Sequence, residues 1–483
     1  MSFEAQTSFQ ITTTTEIADD QLAEQTLRHD HKNTDASQCS TIKYSEYQES
    51  YATFIPKAKN LFIGLFPERS AETFTITRIK GGAYNRILGL EIVPAELRKY
   101  TLPWFRRCVN TVLGNCIPQQ PSKYILRAPR NADRDPLDLE YDVAAIIYAY
   151  RTLKLPVPKV ESYDSRADSV LGQQYMVQQW LPGRNLDSVW KDSSLSMKQR
   201  RSLICEFIQI SRSLQAVTSD RPGTINPSTI SSPSSTPSLD KFETKYRRSP
   251  RLCIPAIPQT TIEFLLETVT RWEEYDRNED EDDFVLPQWS QLRKLFTHLH
   301  MRGFLPDDDV FYFCHLDLAG RNVLSSSSPK SATVTGLLDW DSEYVKFCPK
   351  FMAYQAPFWM WVEDEKQEDD EAFCAYEPES EDKKSLKRYW ESLAGEEWCK
   401  YAFQKEYEIA RRAFSVLQFG FFNSWFDTEL QEIVGVWQKL YPDDDLEKEF
   451  EFSDDESEDC DSIDDSEGSD SNEDEICSHI EDN

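Results

Sequence analysis

Between residues 46 and 180 the spacing of apolar positions changes period several times. Tyr47, Tyr51, Phe54, Ala58, Leu61, Phe62 and Leu65 recur at helical intervals, with Pro56 expected to cut the helix into two pieces. ETFTITRI (72–79) and RILGLEIV (86–93) read as strands on either side of a glycine turn, and KYILRA (123–128) as a third strand. LDLEYDVAAIIYAYRTLKL (137–155) has a helical pattern that Pro156 and Pro158 end. QQYMVQQWL (173–181) then reads as a strand closed by Pro182-Gly183. The order is strand, glycine turn, strand, strand, helix, strand.

Beyond Pro182 the pattern becomes helical, most clearly in LSMKQRRSLICEFIQISRSL (195–214). RPGTINPSTISSPSSTPSL (221–239) has the Ser/Pro/Thr composition of a flexible insertion. A helix at Trp289–Leu299 leads into VFYFCHLDLAGRNVLS (310–325) and TVTGLLDWD (333–341), which read as the two arms of a hairpin with polar loops. The remainder, to about Tyr441, is aromatic-rich and helical, notably Glu396–Phe422, and no internal repeat is present.

At 483 residues the chain exceeds one compact domain, and 39% hydrophobic with 12% aromatic residues supply ample core. The formal charge of -31 is uneven: residues 443–483 hold 21 acidic side chains against Lys448, which places -20 of it there. Such a surface repels nucleic-acid phosphates and anionic membranes. Eleven cysteines without a C-x-x-C pair fit reduced thiols in a cytosolic chain. The N-terminal stretch lacks the features of a signal or transit peptide, and no run of 18 apolar residues occurs, so a cytoplasmic protein is expected. The expected organisation is a disordered tail at 1–45, a helical extension at 46–71, a β-rich lobe at 72–180, a helical lobe at 181–442 containing the 221–239 insertion, and an acidic disordered tail at 443–483.

The sharpest chemical feature is His315-Leu316-Asp317-Leu318-Ala319-Gly320-Arg321-Asn322, which reads H-x-D-L-x-x-x-N, with Asp339 standing 17 residues after Asn322. That spacing is the one phosphoryl transfer uses. Two oxygen ligands, Asn322 and Asp339, would hold magnesium against the β- and γ-phosphates of ATP, and Asp317 would orient the acceptor hydroxyl and take its proton. Taken singly, each residue is better read as a turn or core residue than as a catalytic one. Together they favour the chemical reading.

HLDLAGRN followed by LLDWD resembles the aminoglycoside/choline phosphotransferase family, with PVPKV (156–160) and LPGRNL (181–186) in matching order and CPKFMAYQAPFWMWVEDE closest to its fungal branch. The resemblance implies an α+β, two-lobed protein-kinase-like fold with ATP in the cleft. Gly81 and Gly82 sit where a nucleotide-covering turn belongs, although the pair equally suits a plain hairpin turn. Where such a fold carries lysine, the third strand has Arg127, with Lys123 on the same face, and the family's helix glutamate falls on Asp142, with Glu140 nearby. Both positions depart from the family, and the shorter aspartate puts an Arg127–Asp142 ion pair in doubt; solvated surface charges are the less favoured account of them. Trp180-Leu181-Pro182 is the expected hinge, with backbone groups near Gln178, Gln179 and Trp180 facing adenine.

Leu316 replaces the arginine of the protein-kinase H-R-D loop, and no D-F-G, A-P-E or G-x-x-x-x-G-K-[ST] segment is present. A small hydroxylated acceptor is therefore expected in preference to a protein. The acidic runs Glu273–Asp283 and Glu363–Glu371, with Trp359 and Trp361 nearby, would suit a cationic acceptor, and are more plainly read as solvated loops and core aromatics. Two alternatives remain open: a kinase-like nucleotide-binding module without turnover, and a protein kinase.

Overall fold

The computed structural model describes residues 49–69, 74–79, 85–93, 122–130, 134–192, 195–231, 236–244, 253–278, 282–306, 308, 310–328 and 331–447. The expected tail at 1–45, the Gly81-Gly82 turn and most of the expected tail at 443–483 lie outside them.

The small lobe is built on an antiparallel sheet ordered β1-β2-β3-β5-β4. Its strands are β1 (Phe74–Ile79), β2 (Asn85–Ile92), β3 (Ser122–Pro129), β4 (Val160–Asp164) and β5 (Tyr175–Gln179). Helix α1 (Tyr51–Leu65) covers one face, where Phe54, Ala58, Leu61 and Phe62 pack on Leu88, Leu90, Leu126 and Val177. Pro56 does not divide this helix. It removes one backbone bond, to the carbonyl of Ala52, an exposed residue in the first turn, and burial of four apolar side chains at about 1–3 kcal/mol each outweighs that loss. Helix α2 (Pro136–Thr152), started by an Asp135 cap and Pro136, lies toward the other face and packs with Met176.

The second lobe opens with β6 (Arg184–Asn185), α3 (Leu186–Trp190) and α4 (Met197–Gln215), whose Ser196/Gln199 capping box fixes its start. A five-stranded sheet follows in the order β7-β10-β13-β8-β9, from β7 (Thr218–Ser219), β8 (Gly223–Ile225), β9 (Leu239–Asp240), β10 (Phe311–His315) and β13 (Val345–Cys348). The 221–239 stretch is thus partly sheet: Thr224 pairs with Asp240 and Ile225 with Leu239, with all four side chains buried. Its Ser/Pro composition hides two short buried strands.

The expected hairpin is also rearranged. Only β11 (Val323–Ser328) and β12 (Ser331–Leu337) pair with each other, whereas β10 joins β13 in the other sheet. Around these strands stand α5 (Thr261–Asn278), α6 (Asp282–Met301), α7 (Lys350–Ala353), α8 (Glu381–Ala394), α9 (Glu396–Phe403), α10 (Lys405–Phe419) and α11 (Ser424–Leu440). Their core includes the stacked Trp272–Trp289 pair, Trp390 and Trp437. Residues 443–447, assigned above to the tail, are docked: Arg302 holds Asp444, Gln291 donates to the Leu446 carbonyl, and the Leu446 side chain is fully buried. The two lobes form a protein-kinase-like α+β fold. No helix among the described residues is long and apolar enough to cross a membrane.

Candidate active site

The β11–β12 register assembles the site. Val323 pairs with Leu337, so Asn322 at the start of one strand lies beside Leu338 at the end of the other, and the Leu338 amide donates to the Asn322 carbonyl at 2.8 Å. His315, at the end of β10, links the same two loops through Nε2 and the Leu338 carbonyl at 2.9 Å. Burial lowers the His315 pKa, so the ring stays neutral and Nε2–H donates. Asp317, Asn322 and Asp339 are thereby brought together from two loops 17 to 22 residues apart in sequence.

Asp317 is held at both carboxylate oxygens. Asn322 Nδ2 donates to Oδ2 at 2.7 Å and to the Asp317 backbone carbonyl at 2.9 Å, and Arg321 pairs with Oδ1. The second arm of Arg321 takes Asp369, which tethers the acidic 363–371 segment to the loop that carries Asp317. Gly320 has no room for a side chain: a Cβ there would stand 2.0 Å from Asp187 Oδ1.

Asp339 has φ +61°, the only positive φ among the described non-glycine residues, a conformation that aspartate tolerates better than most. Trp340 beside it is buried, with its indole N–H on the Leu337 carbonyl at 2.9 Å. Arg127 reaches down from β3 to Asp339 at 3.3 Å and to Asp341 at 2.8 Å. Burial, reinforced by Asp142 and Asp339, pushes the Asp341 carboxyl up to about 7 in spite of Arg127, and its Oδ1 is buried without a partner.

Arg127 and Asp142, which stand at the family's lysine and glutamate positions, do not pair. Asp142, buried in α2, accepts instead from the Ser342 amide at 2.8 Å, the Ser342 hydroxyl at 2.9 Å and Arg134 at 2.5 Å. An aspartate reaches less far than a glutamate, and here it meets the segment after Asp341 rather than β3. Lys123 lies away from this cluster, beside Glu91 and 5.6 Å from the Trp180 ring, and Glu140 faces Ser165. At the lobe connection the Gln179 amide donates to Lys159 and the Trp180 amide to Lys123, so neither N–H is available to a ligand. Trp180 lies over Gly89, where a Cβ would stand 2.3 Å from the ring.

Arg134, Ser342, Asp341, Arg321 and Asp369 were not singled out from sequence. Asp341 and Arg321 carried a signal, since each lies inside a quoted motif, and Asp369 lies in the acidic run Glu363–Glu371 noted above; Arg134 lies in a polar stretch without one. The donor set suits a hard cation. Asn322 Oδ1, the Asp339 carboxylate and the unpartnered Asp341 Oδ1 are all oxygens. No cluster of three or more His, Cys, Asp or Glu suited to a metal occurs among the described residues.

Residues 117–342 match the model of the phosphotransferase enzyme family. That segment, a little under half of the chain, includes the motifs that carry the resemblance. Among solved structures the chain is similar to aminoglycoside phosphotransferase APH(4)-Ia, with 15% identity, 79% of this chain and 98% of that one covered, and a TM-score of 0.41. It is also similar to an ethanolamine kinase of Plasmodium vivax, with 10% identity, coverages of 86% and 98%, and a TM-score of 0.40. A choline kinase of Cryptosporidium parvum Iowa II gives 11% identity, coverages of 79% and 96%, and a TM-score of 0.38. No curated protein matches the chain.

Proposed function

Taking the phosphotransferase family match as the premise, we propose that this chain is an ATP- and magnesium-dependent kinase of a small hydroxylated molecule. The observation that carries the reading is the convergence of Asp317, Asn322 and Asp339 through the β11–β12 register, with Arg127 reaching the same point from β3. Asn322 and Asp339 would hold magnesium, with the free Asp341 oxygen beside them, and Arg127 would meet phosphate oxygens. Magnesium, when bound, neutralises charge on the phosphates. Asp317, fixed at both oxygens, would orient the acceptor hydroxyl and receive its proton. Near it, Asp187, Glu365, Glu368 and Asp369 outnumber Lys191 and Arg321, which supports a cationic acceptor.

One observation favours a second reading. In this structure Arg127 is bound to both Asp339 and Asp341, the carboxylates a metal would use, as in a nucleotide-binding module without turnover. Two variants and one screen separate the readings. Asp339→Asn should abolish magnesium-supported ATP binding, whereas Asp317→Asn should lower turnover by two or more orders of magnitude with ATP affinity nearly kept. Wild-type turnover in Asp339→Asn would sink the metal assignment. ATP binding without phosphorylation of any amino sugar, amino alcohol or other hydroxyl compound would favour the module.

A further inference from the structure

Arg321 lies between Asp317 and the acidic 363–371 segment, and both arms of its guanidinium are committed. One terminal nitrogen donates to Asp317 Oδ1 and the other to Asp369 Oδ1. Its main chain is fixed as well. Gly320, Arg321 and Asn322 form one tight turn, which the Asn322 amide closes on the Ala319 carbonyl at 3.0 Å. Asn185 Nδ2 donates to the Arg321 carbonyl at 2.6 Å.

The far end of this bridge is anchored without help from Asp369. Glu365 and Glu368 pair with Lys191, just past α3, at 3.1 and 3.5 Å, and Glu363 pairs with Lys383 at 2.9 Å. Glu371 holds Arg411, a buried side chain of α10. Asp364 and Asp370 cap their own turns through the amides of Lys366 and Ala372. Asp369 itself is two-thirds exposed, and an exposed pair adds little to the stability of a fold. What it adds here is direction. A guanidinium is a rigid plane, so fixing one arm orients the other.

That orientation falls on Asp317. With Asn322 on Oδ2 at 2.7 Å and Arg321 on Oδ1, the carboxylate plane cannot turn about its last bond. An oxygen that accepts from Arg321 keeps a second lone pair for an acceptor hydroxyl. We propose that Arg321 is a positioning residue for phosphoryl transfer and Asp369 its anchor, so that the 363–371 segment sets the aim of the Asp317 carboxylate. The inference rests on the role given to Asp317 above. Asp369 then acts through Arg321, apart from any field it adds for a cationic acceptor.

The test uses the full chain with magnesium-ATP and no added acceptor, so that water takes the place of the hydroxyl and no acceptor charge enters. Phosphate release gives the maximal rate and the KM for ATP. Asp369→Asn should lower the rate about 2- to 5-fold and Arg321→Met about 10-fold, with KM and melting temperature unchanged in both. The double variant should be no slower than Arg321→Met, because without the guanidinium the anchor has nothing to hold. Arg321→Lys keeps the charge and loses the fork, and should stay about 3-fold or more below wild type. An Asp369→Asn deficit that persists in Arg321→Met, or full activity in Arg321→Lys, would overturn the bridge. A faster Arg321→Met would show that the guanidinium obstructs Asp317 instead of aiming it. Wild-type rates in all variants bring down this inference alone, whereas no turnover of magnesium-ATP by wild type brings down the kinase reading and this inference with it.

Discussion

Replacing Asp142 with asparagine tests the most specific departure of this site, a helix carboxylate that holds the 339–342 loop instead of the β3 cation. The exchange keeps side-chain volume and an acceptor for the Ser342 amide and hydroxyl, and turns the oxygen that faces Arg134 into an NH2 group. A hydrogen bond to a charged group contributes about 1.5–3 kcal/mol, and Arg134, a quarter exposed, regains water, so the lower end applies. If all of that reaches the 339–342 loop, affinity for magnesium-ATP falls by about tenfold. The assay is a pair of double-mutant cycles on that affinity, Asp142→Asn with Ser342→Ala and Asp142→Asn with Arg127→Met. Coupling of about 0.5–1.5 kcal/mol to Ser342, and clearly less to Arg127, is expected, because only the first pair is in contact. Stronger coupling to Arg127 would refute the reasoning and restore the ion pair anticipated from sequence.

Two further outcomes concern the edges of the fold. Deleting 448–483 should leave the melting temperature unchanged within about a degree, whereas deleting 444–483 also removes buried Leu446 and the Asp444 contacts to Arg302 and Trp437, at about 2–4 kcal/mol by chemical denaturation. Equal stability of the two truncations would contradict the docked 443–447 segment. Gly89→Ala should cost about 1–3 kcal/mol and weaken nucleotide binding, since its Cβ would meet Trp180, Ile79 and Thr77 within 3.0 Å. A variant with unchanged melting temperature and ATP affinity would show that the Trp180 ring is free to move.

Much of this was open to reading from residues, because long periodic runs and a spaced motif are local signals. Strands β1, β2, β3 and β5 and helices α2, α4 and α6 fall where the pattern indicated, and Asp317, Asn322 and Asp339 lie on adjoining loops. Strand β4 escaped notice because it is a sheet edge whose VESYD sequence is half polar and follows two prolines. Strands β8 and β9 are too short for any periodicity to emerge from their Ser/Pro surroundings. The partner of Arg127 was misjudged for a different reason. Which carboxylate a guanidinium meets depends on how a helix in one lobe and a loop in the other are juxtaposed, and no spacing along the chain encodes that.

The left-handed backbone at Asp339 makes this position selective in two independent ways. On the proposed metal-binding role its side chain is needed for charge, and its main chain admits few residues at φ +61° without strain of about 1 kcal/mol or more. Asparagine and glycine satisfy the second demand and fail the first; glutamate carries the charge and strains the backbone. Conservative replacement by acidity and conservative replacement by shape therefore point to different residues, and no natural amino acid other than aspartate meets both. An inactive descendant of this chain could drift to asparagine or glycine at 339 while keeping its fold, and such a change would be the mark by which lost chemistry is told from lost structure.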